Sequence, residues 1–156
     1  MNEKGFTLVE LLAAIAILGI VSLIAFPIVN DTIKNQKNKL YDRQIATIED
    51  AAKSLTSRNT LLLPENNSVS YLSINYLVKK GTLDETKISD PRSSKELEGC
   101  VKITFNSTYN QYMYEFIDIA EVNDNLCSTA LNEGSDEPKG GYCILDQTAG
   151  TSNCNS

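Results

Sequence analysis

The most prominent pattern in the chain is an apolar run near its N-terminus. From Leu11 to Val29, nineteen residues run apolar, interrupted only by Ser22 and Gly19. A helix needs about 20 such residues to cross a bilayer, so this run predicts a membrane-spanning helix. The stretch "KGFTLVELL" leads into it and carries one carboxylate, Glu10. A charge at the centre of a lipid-facing helix costs ~2.5–3.5 kcal/mol, so Glu10 needs an explanation.

A removable signal peptide is the alternative explanation of this run. Such peptides have an apolar core of roughly 7–15 residues, followed by a small-x-small cleavage site. Here the Ala-x-Ala sequence, Ala14 to Ala16, lies in the middle of the run. The residues after the run, "NDTIKNQKNKLYDRQ", continue a helical pattern instead of starting a loop. We therefore predict that the segment is retained and that residues 6–29 span the membrane.

The pattern changes after Val29 but stays helical to about Arg58. Apolar residues recur there at spacings of four, three, four and three, at Tyr41, Ile45, Ile48, Ala52 and Leu55. This spacing indicates that residues 30–58 form an amphipathic helix whose apolar face packs on a core. The polar stretch "NDTIKNQKNK" predicts a solvated stalk, with a head beginning near Leu40. Pro27 lacks a backbone N–H and is expected to kink the helix.

Residues 59–156 predict a globular α+β head. The part before Gly99 reads as loop with one short helix in "SINYLVKKG", which begins at an N-cap, Ser73, and stops at Gly81. Leu77 and Val78 are expected to point inward.

Strand patterns follow the loop in "CVKITF", "QYMYEFID" and "YCILD". We expect an antiparallel meander of three or more strands, laid on the amphipathic helix. Val101 and Ile103 alternate with polar residues, and Tyr112, Tyr114 and Phe116 share one face. That aromatic face is expected to cover the helix; binding of sugars or partners is the alternative.

Composition narrows the possible functions. The 156 residues fit one modest domain, with 14 basic and 20 acidic residues and a net charge of -6. This balance argues against a nucleic-acid-binding surface, which is normally basic. The chain has no histidine, the commonest general base and metal ligand. No catalytic constellation or phosphate-binding loop is recognisable, so we expect no enzyme activity and no cofactor.

The four cysteines all lie in the predicted head, at Cys100, Cys127, Cys143 and Cys154. An even number in a small head suggests two disulfides and an oxidising, extracytoplasmic compartment. Zinc is the alternative, but the spacings contain no Cys-x-x-Cys pair, and no histidine can help. We expect no metal. Four cysteines allow three pairings, and the sequence does not choose among them.

The stretch "KGFTLVELL" ahead of an apolar helix resembles the signature of type IV prepilins and pseudopilins. The resemblance implies that a prepilin peptidase removes the leader, residues 1–5, by cutting between Gly5 and Phe6. It further implies that Phe6 is N-methylated and that Glu10 is the family's one buried carboxylate. Pro27 matches a helix-kinking proline of many pilins. The implied fold is that of a type IV pilin, a long N-terminal helix packed against a small antiparallel sheet.

This resemblance gives Glu10 a partner. A carboxylate in lipid is tolerated when a cation meets it, and cleavage creates one at the α-amino group of Phe6. In a staggered array, Glu10 of one subunit can pair with the Phe6 amine of its neighbour and fix the register. The alternative is a Glu10 side chain that merely extends towards the headgroups.

The orientation signals disagree. The positive-inside rule compares Lys4 on one flank with Lys34, Lys37 and Lys39 on the other, and would leave the larger part inside. The cysteines and the leader favour the opposite arrangement, N-in and C-out, which we adopt.

The sequence therefore predicts a pilin or pilin-like subunit, first single-pass in the cytoplasmic membrane and then in a surface pilus. Its expected partners are copies of itself, other pilins, the prepilin peptidase, and the assembly ATPase with its platform. The alternatives are a pseudopilin of a type II secretion or competence DNA-uptake machine, and a minor tip pilin or adhesin.

Overall fold

The computed structural model describes the chain except for residues 1–4, 66–67, 123 and 135–138. The chain divides into two compact units, Met1–Lys39 and Leu40–Ser156. The long helix α1, Leu8–Arg58, contributes residues to both units. Its end at Arg58 confirms the helix boundary that the apolar spacing predicts.

In the first unit, α1 displays apolar side chains without covering them. Every large apolar side chain described between Leu8 and Val29 is more than half exposed in the single chain. By length and composition, α1 is a helix that could cross a membrane. The Ser22 hydroxyl donates a hydrogen bond to the Leu18 carbonyl at 2.8 Å, which satisfies a polar group within this apolar surface.

The second unit contains a five-stranded antiparallel sheet in the order β3-β2-β1-β4-β5. Its strands are β1 (Ser68–Ser73), β2 (Gly99–Asn106), β3 (Gln111–Asp118), β4 (Tyr142–Asp146) and β5 (Thr151–Asn155). Two short helices complete the unit, α2 (Ile74–Lys79) and α3 (Asn125–Asn132). Together with α1 this is the α+β, pilin-like architecture expected from the sequence.

The second unit has a core on each face of the sheet. Residues of α1 and α2 form one core with the sheet residues Leu72, Val101 and Ile103. The α1 residues are Ile48, Ala51, Ala52 and Leu55, which confirms the predicted apolar face of the helix. The other core joins α3 to the residues of β1, β2 and β4 that point the opposite way, Val69, Tyr71, Cys100 and Cys143.

The strands "CVKITF", "QYMYEFID" and "YCILD" lie where the sequence predicts them, but the meander is wrong. Strand β4 pairs with β1, with Leu72 opposite Tyr142, and not with β3. Strand β1 occupies residues that the sequence predicts as loop. All residues of β1 after Ser68 are buried, so both faces are covered, and the polar–apolar alternation of "SVSY" is short and ends at Leu72.

Two further elements, α3 and β5, are also absent from the sequence prediction. Strand β5 is polar, "TSNCN", and pairs with β4, and its Cys154 packs against the core beneath α3. By contrast, α2 has the predicted cap, because the Ser73 hydroxyl accepts the Tyr76 N–H at 3.2 Å. Leu77 is fully buried, and Gly81 ends the helix with φ of 68°.

Most of the aromatic face of β3 packs as expected. Tyr114 and Phe116 contact the core beneath α1, and the Tyr114 hydroxyl lies 2.8 Å from that of Thr56 on α1. Tyr112 is more exposed and packs on Phe105 with tilted rings, whose centroids are 5.2 Å apart. Packing is therefore the main role of this face.

Arg92 ties the segment before β2 to α1. Its guanidinium lies 3.4 Å from the centre of the Tyr41 ring and bonds Asp90 at 3.1 Å and Glu121 at 3.0 Å. Burial alone would raise the pKa of Asp90, but hydrogen bonds from Arg92 and Ser93 outweigh it and hold the pKa below its ordinary value. The segment around residues 89–96 is thereby fixed against the helix.

Ser70 in the central strand provides a test of this packing. Its hydroxyl is fully buried and, within the described part of the chain, has no hydrogen-bond partner. We expect Ser70→Ala to raise the free energy of unfolding by about 1 kcal/mol, because it removes an unsatisfied polar group. Thermal unfolding of the detergent-solubilised chain, followed by circular dichroism, measures this.

Ser73 in the same strand is the matched control. Its hydroxyl donates to the Gly141 carbonyl at 2.8 Å and caps α2. Ser73→Ala should therefore lower stability by roughly 1–2 kcal/mol. A Ser70→Ala variant that is destabilised as much as Ser73→Ala would contradict the assignment of Ser70 as unsatisfied.

Candidate processing and assembly site

The predicted cleavage site lies in a short exposed segment ahead of α1. Gly5, Phe6 and Thr7 are all exposed and precede the helix, and the Phe6 side chain is 86% exposed. A Cβ atom placed on Gly5 would meet nothing within 4 Å. The described part of the chain therefore imposes no steric need for glycine at this position. The rest of the predicted leader, residues 1–4, lies outside the described residues.

Glu10 is held by Thr7 at the start of α1. The Glu10 Oε2 atom accepts a hydrogen bond from the Thr7 N–H at 2.9 Å and from the Thr7 hydroxyl at 2.8 Å. In return, the Thr7 hydroxyl oxygen accepts the Glu10 N–H at 3.3 Å. This reciprocal pattern is a capping box, which satisfies N–H groups that a helix start otherwise leaves unpaired.

The capping box leaves the carboxylate able to serve a second partner. Both hydrogen bonds described for it end on Oε2, and a carboxylate has acceptor sites on each oxygen. Cleavage after Gly5 keeps the Phe6–Thr7 peptide bond, so the Thr7 N–H survives processing. Glu10 can therefore remain capped while Oε1 accepts a bond from an amine.

Thr7 is a site residue that our sequence reasoning missed. The signal was present as Thr-x-x-Glu directly before an apolar run, which is the spacing of a capping box. We assigned Glu10 only an intermolecular partner, whereas the structure gives it an intramolecular one as well.

The four cysteines form two disulfides in the second unit. Cys100 of β2 joins Cys127 of α3 with Cα atoms 5.6 Å apart, and Cys143 joins Cys154 across β4 and β5 with Cα atoms 4.1 Å apart. The two disulfides expected from the cysteine count are confirmed, and the pairing that the sequence left open is now defined. Paired as disulfides, these cysteines present no thiolate, which is the form of cysteine that binds zinc.

The helix assignment of α1 continues through position 27. The side chain of Pro27 lies outside the described ones, so the kink stays a prediction. Gly5, Phe6 and Glu10 lie together at the start of the first unit.

The N-terminal residues that contain this site match a known protein-family motif. Residues 1–26 match the family described as the prokaryotic N-terminal methylation motif. This motif is the class III leader signature of type IV prepilins, and it supports a type IV pilin-like or pseudopilin precursor. Comparison of the chain with curated proteins and with solved structures found no match. The leader and the apolar helix fit anchoring in a membrane before assembly.

Thr7→Val tests the capping box. The substitution keeps the β-branched shape but removes the hydroxyl, so we expect the first turn of α1 to lose about 1 kcal/mol of stability. Amide exchange at Glu10 should then become roughly fivefold faster, as NMR of the full chain in detergent micelles would measure. Thr7→Ser retains the hydroxyl and should exchange as slowly as the unsubstituted chain. Equal exchange in all three would show that the cap is not formed in the micelle.

Proposed function

We propose that the chain is a structural subunit, a type IV pilin or pilin-like protein, that polymerises into a surface filament. In this proposal the prepilin peptidase cuts between Gly5 and Phe6, and Phe6 is N-methylated. The observation that carries the proposal is the methylation motif in residues 1–26, which includes the start of a helix long and apolar enough to cross a membrane. Copies of the chain, other pilins, and the assembly ATPase with its platform are the proposed partners.

The exposed apolar surface of α1 supports assembly by self-association. Side chains such as Leu12, Ile17 and Phe26 have no cover in the single chain. In the membrane, lipid covers them. In a filament, the same surface of neighbouring subunits takes the place of lipid, so that the apolar contacts are exchanged and not lost.

The proposed role of Glu10 is to set the register between subunits. A neighbour's Phe6 amine placed near Oε1 would form a charge pair in an apolar surrounding. Such a pair is worth little as net stabilisation, because both charges lose water, but it strongly disfavours any register in which one charge is left alone. The capping box supports this role, since it holds the carboxylate at a fixed position on the helix.

We further propose that the chain sits N-in and C-out in the cytoplasmic membrane before assembly. The two disulfides of the second unit support this orientation, because disulfides persist in oxidising, extracytoplasmic compartments.

Processing provides the first test. Intact-mass analysis of the membrane-associated protein should give a chain that starts at methylated Phe6. Replacement of Gly5 by a bulky residue such as Leu should block the cut without disturbing the fold, because a Cβ at Gly5 meets no atom within 4 Å. A mature protein that still starts at Met1, or one cut after Ala16 or Ala25, would be incompatible with the proposal.

Substitution of Glu10 tests the register role. Glu10→Val removes the charge and the carboxylate half of the capping box, whereas Glu10→Gln removes the charge but keeps an oxygen that accepts from Thr7. Both variants should be cleaved normally yet fail to polymerise. The unpaired cation left by either variant costs ~3–5 kcal/mol at every added subunit. The measurement is the amount of sheared surface filament at equal protein level. Undiminished filament from Glu10→Gln would remove the assembly role of the charge.

Electron microscopy with an antibody to the second unit then distinguishes the kinds of subunit. Label along the filament identifies a major pilin, and sparse or terminal label identifies a minor or tip pilin. Label confined to the envelope identifies a pseudopilin, which shares the same N-terminal motif.

A further inference from the structure

A groove of about 450 Å³ opens on the second unit between α2, α3 and the segment of residues 85–98. Its apolar lining includes side chains that are nearly fully buried, Ile74 and Leu97, and others that are half-buried, Val78, Ile88, Ile119 and Leu131. Three exposed glutamates, Glu85, Glu96 and Glu98, lie at its rim with Lys139. We call this feature the acidic groove. It combines an apolar floor with a mainly negative rim.

Hydrogen bonds to backbone carbonyls hold the walls of the acidic groove in place. The Leu97 N–H donates to the Ile88 carbonyl at 2.6 Å, and the Ile119 N–H donates to the Glu98 carbonyl at 3.1 Å. On the other wall, the side-chain amide of Asn75 donates from Nδ2 to the Lys139 carbonyl at 2.6 Å. The groove is therefore preformed, which lowers the entropy lost when a partner binds.

The negative rim does not form a metal site. Within the described part of the chain, no three acidic or cysteine side chains are grouped closely enough to hold a metal ion. An extended partner with several positively charged side chains fits the spaced glutamates of the rim better than a single metal ion does.

The chain itself contains a segment of complementary character. Residues 40–156 hold 17 of the 20 acidic residues, whereas residues 30–39 hold Lys34, Lys37 and Lys39 against a single acidic residue, Asp31. The three lysines and Asp31 are exposed on α1. Ile33 lies one turn before Lys37 on the same helix face and is 47% exposed. This stalk therefore presents an apolar side chain flanked by lysines, which matches the apolar floor and acidic rim of the groove.

We propose that the acidic groove binds the lysine-bearing stalk, residues 30–39, of a second copy of the chain. The proposal rests on the proposed function, since it describes one contact between subunits of the same filament. Ile33 contacts the apolar floor, and Lys34 and Lys37 pair with glutamates of the rim. Charge pairs between exposed groups contribute more to partner choice and register than to affinity. This contact thus adds a second determinant of register outside the apolar part of the helix.

Charge reversal provides the test, because it can be made on either side. One variant carries Lys34→Glu and Lys37→Glu, so its stalk and groove are both negative. The other carries Glu96→Lys and Glu98→Lys, so both are positive. Each variant expressed alone should yield at least about tenfold less sheared filament, because like charges then face each other in every contact. Co-expression of the two should restore the yield to within about twofold, since each stalk then meets a groove of opposite sign.

The matched control is Glu65→Lys with Glu115→Lys, which makes the same charge change at two exposed glutamates that do not line the acidic groove. Its yield should equal that of the unsubstituted chain. Each reversed variant forming normal filament alone would overturn the proposal. Failure of the co-expressed pair to restore filament, with both proteins present at normal level in the membrane, would also overturn it.

Zero-length carbodiimide crosslinking of membranes from the co-expressing cells separates this proposal from the proposed function. A crosslinked peptide that joins the substituted stalk of one variant to the substituted groove of the other can arise only between two chains. Its detection in cells that form no filament would leave the contact standing and reject the filament. Its absence from both membranes and filaments would reject the contact, even where the unsubstituted chain forms filaments normally.

Discussion

The constraint on which the rest of the molecule depends is the uncovered apolar surface of α1. A helix satisfies its own backbone hydrogen bonds, so it is stable in lipid. Its side chains from Leu8 to Val29, however, cannot be left in water. They need lipid or other chains at every stage of the protein's life. The polar groups in this part of α1 are arranged accordingly, with the Ser22 hydroxyl bonded to a carbonyl of its own helix and the Glu10 carboxylate bonded to Thr7.

The second unit differs from the first, because it buries the apolar residues of its part of α1 within its own core. Here α1 contributes one apolar face, and the sheet covers it. The opposite face of the sheet is covered by α3, and the Cys100–Cys127 disulfide ties α3 to β2. Burial raises the pKa of Tyr71 in this second core to about 12, and the nearby Asp124 adds to the effect. Each face of the sheet is thus covered by helices, one by α1 and α2 and the other by α3.

Periodicity along the chain is informative for elements whose two faces differ in polarity. The end of α1 and the strands β2 and β3 could be predicted because each has a polar face and an apolar face, and β4 because "YCILD" is a short apolar run after a turn-rich stretch. Strand β1 could not, since it is buried on both sides and three of its six residues are serines. That one omission also led to the incorrect meander, because β1 is the strand that separates β2 from β4 in the sheet. In the candidate site, the motif was readable but the capping role of Thr7 was overlooked, and the cysteine pairing depends on long-range contacts.

The strand order has a consequence for how the second unit is produced. If the chain leaves the membrane in order from α1 onward, the central strand appears first and the strands β2 and β3 follow before β4 and β5. The disulfides also follow chain order. Cys100 pairs with Cys127 and Cys143 with Cys154, so each bond joins two cysteines that are consecutive in the sequence. An oxidant that joins each newly exported thiol to the preceding free one therefore gives the native connectivity directly. For a chain exported in this order, the native disulfides form without any reshuffling of crosslinks.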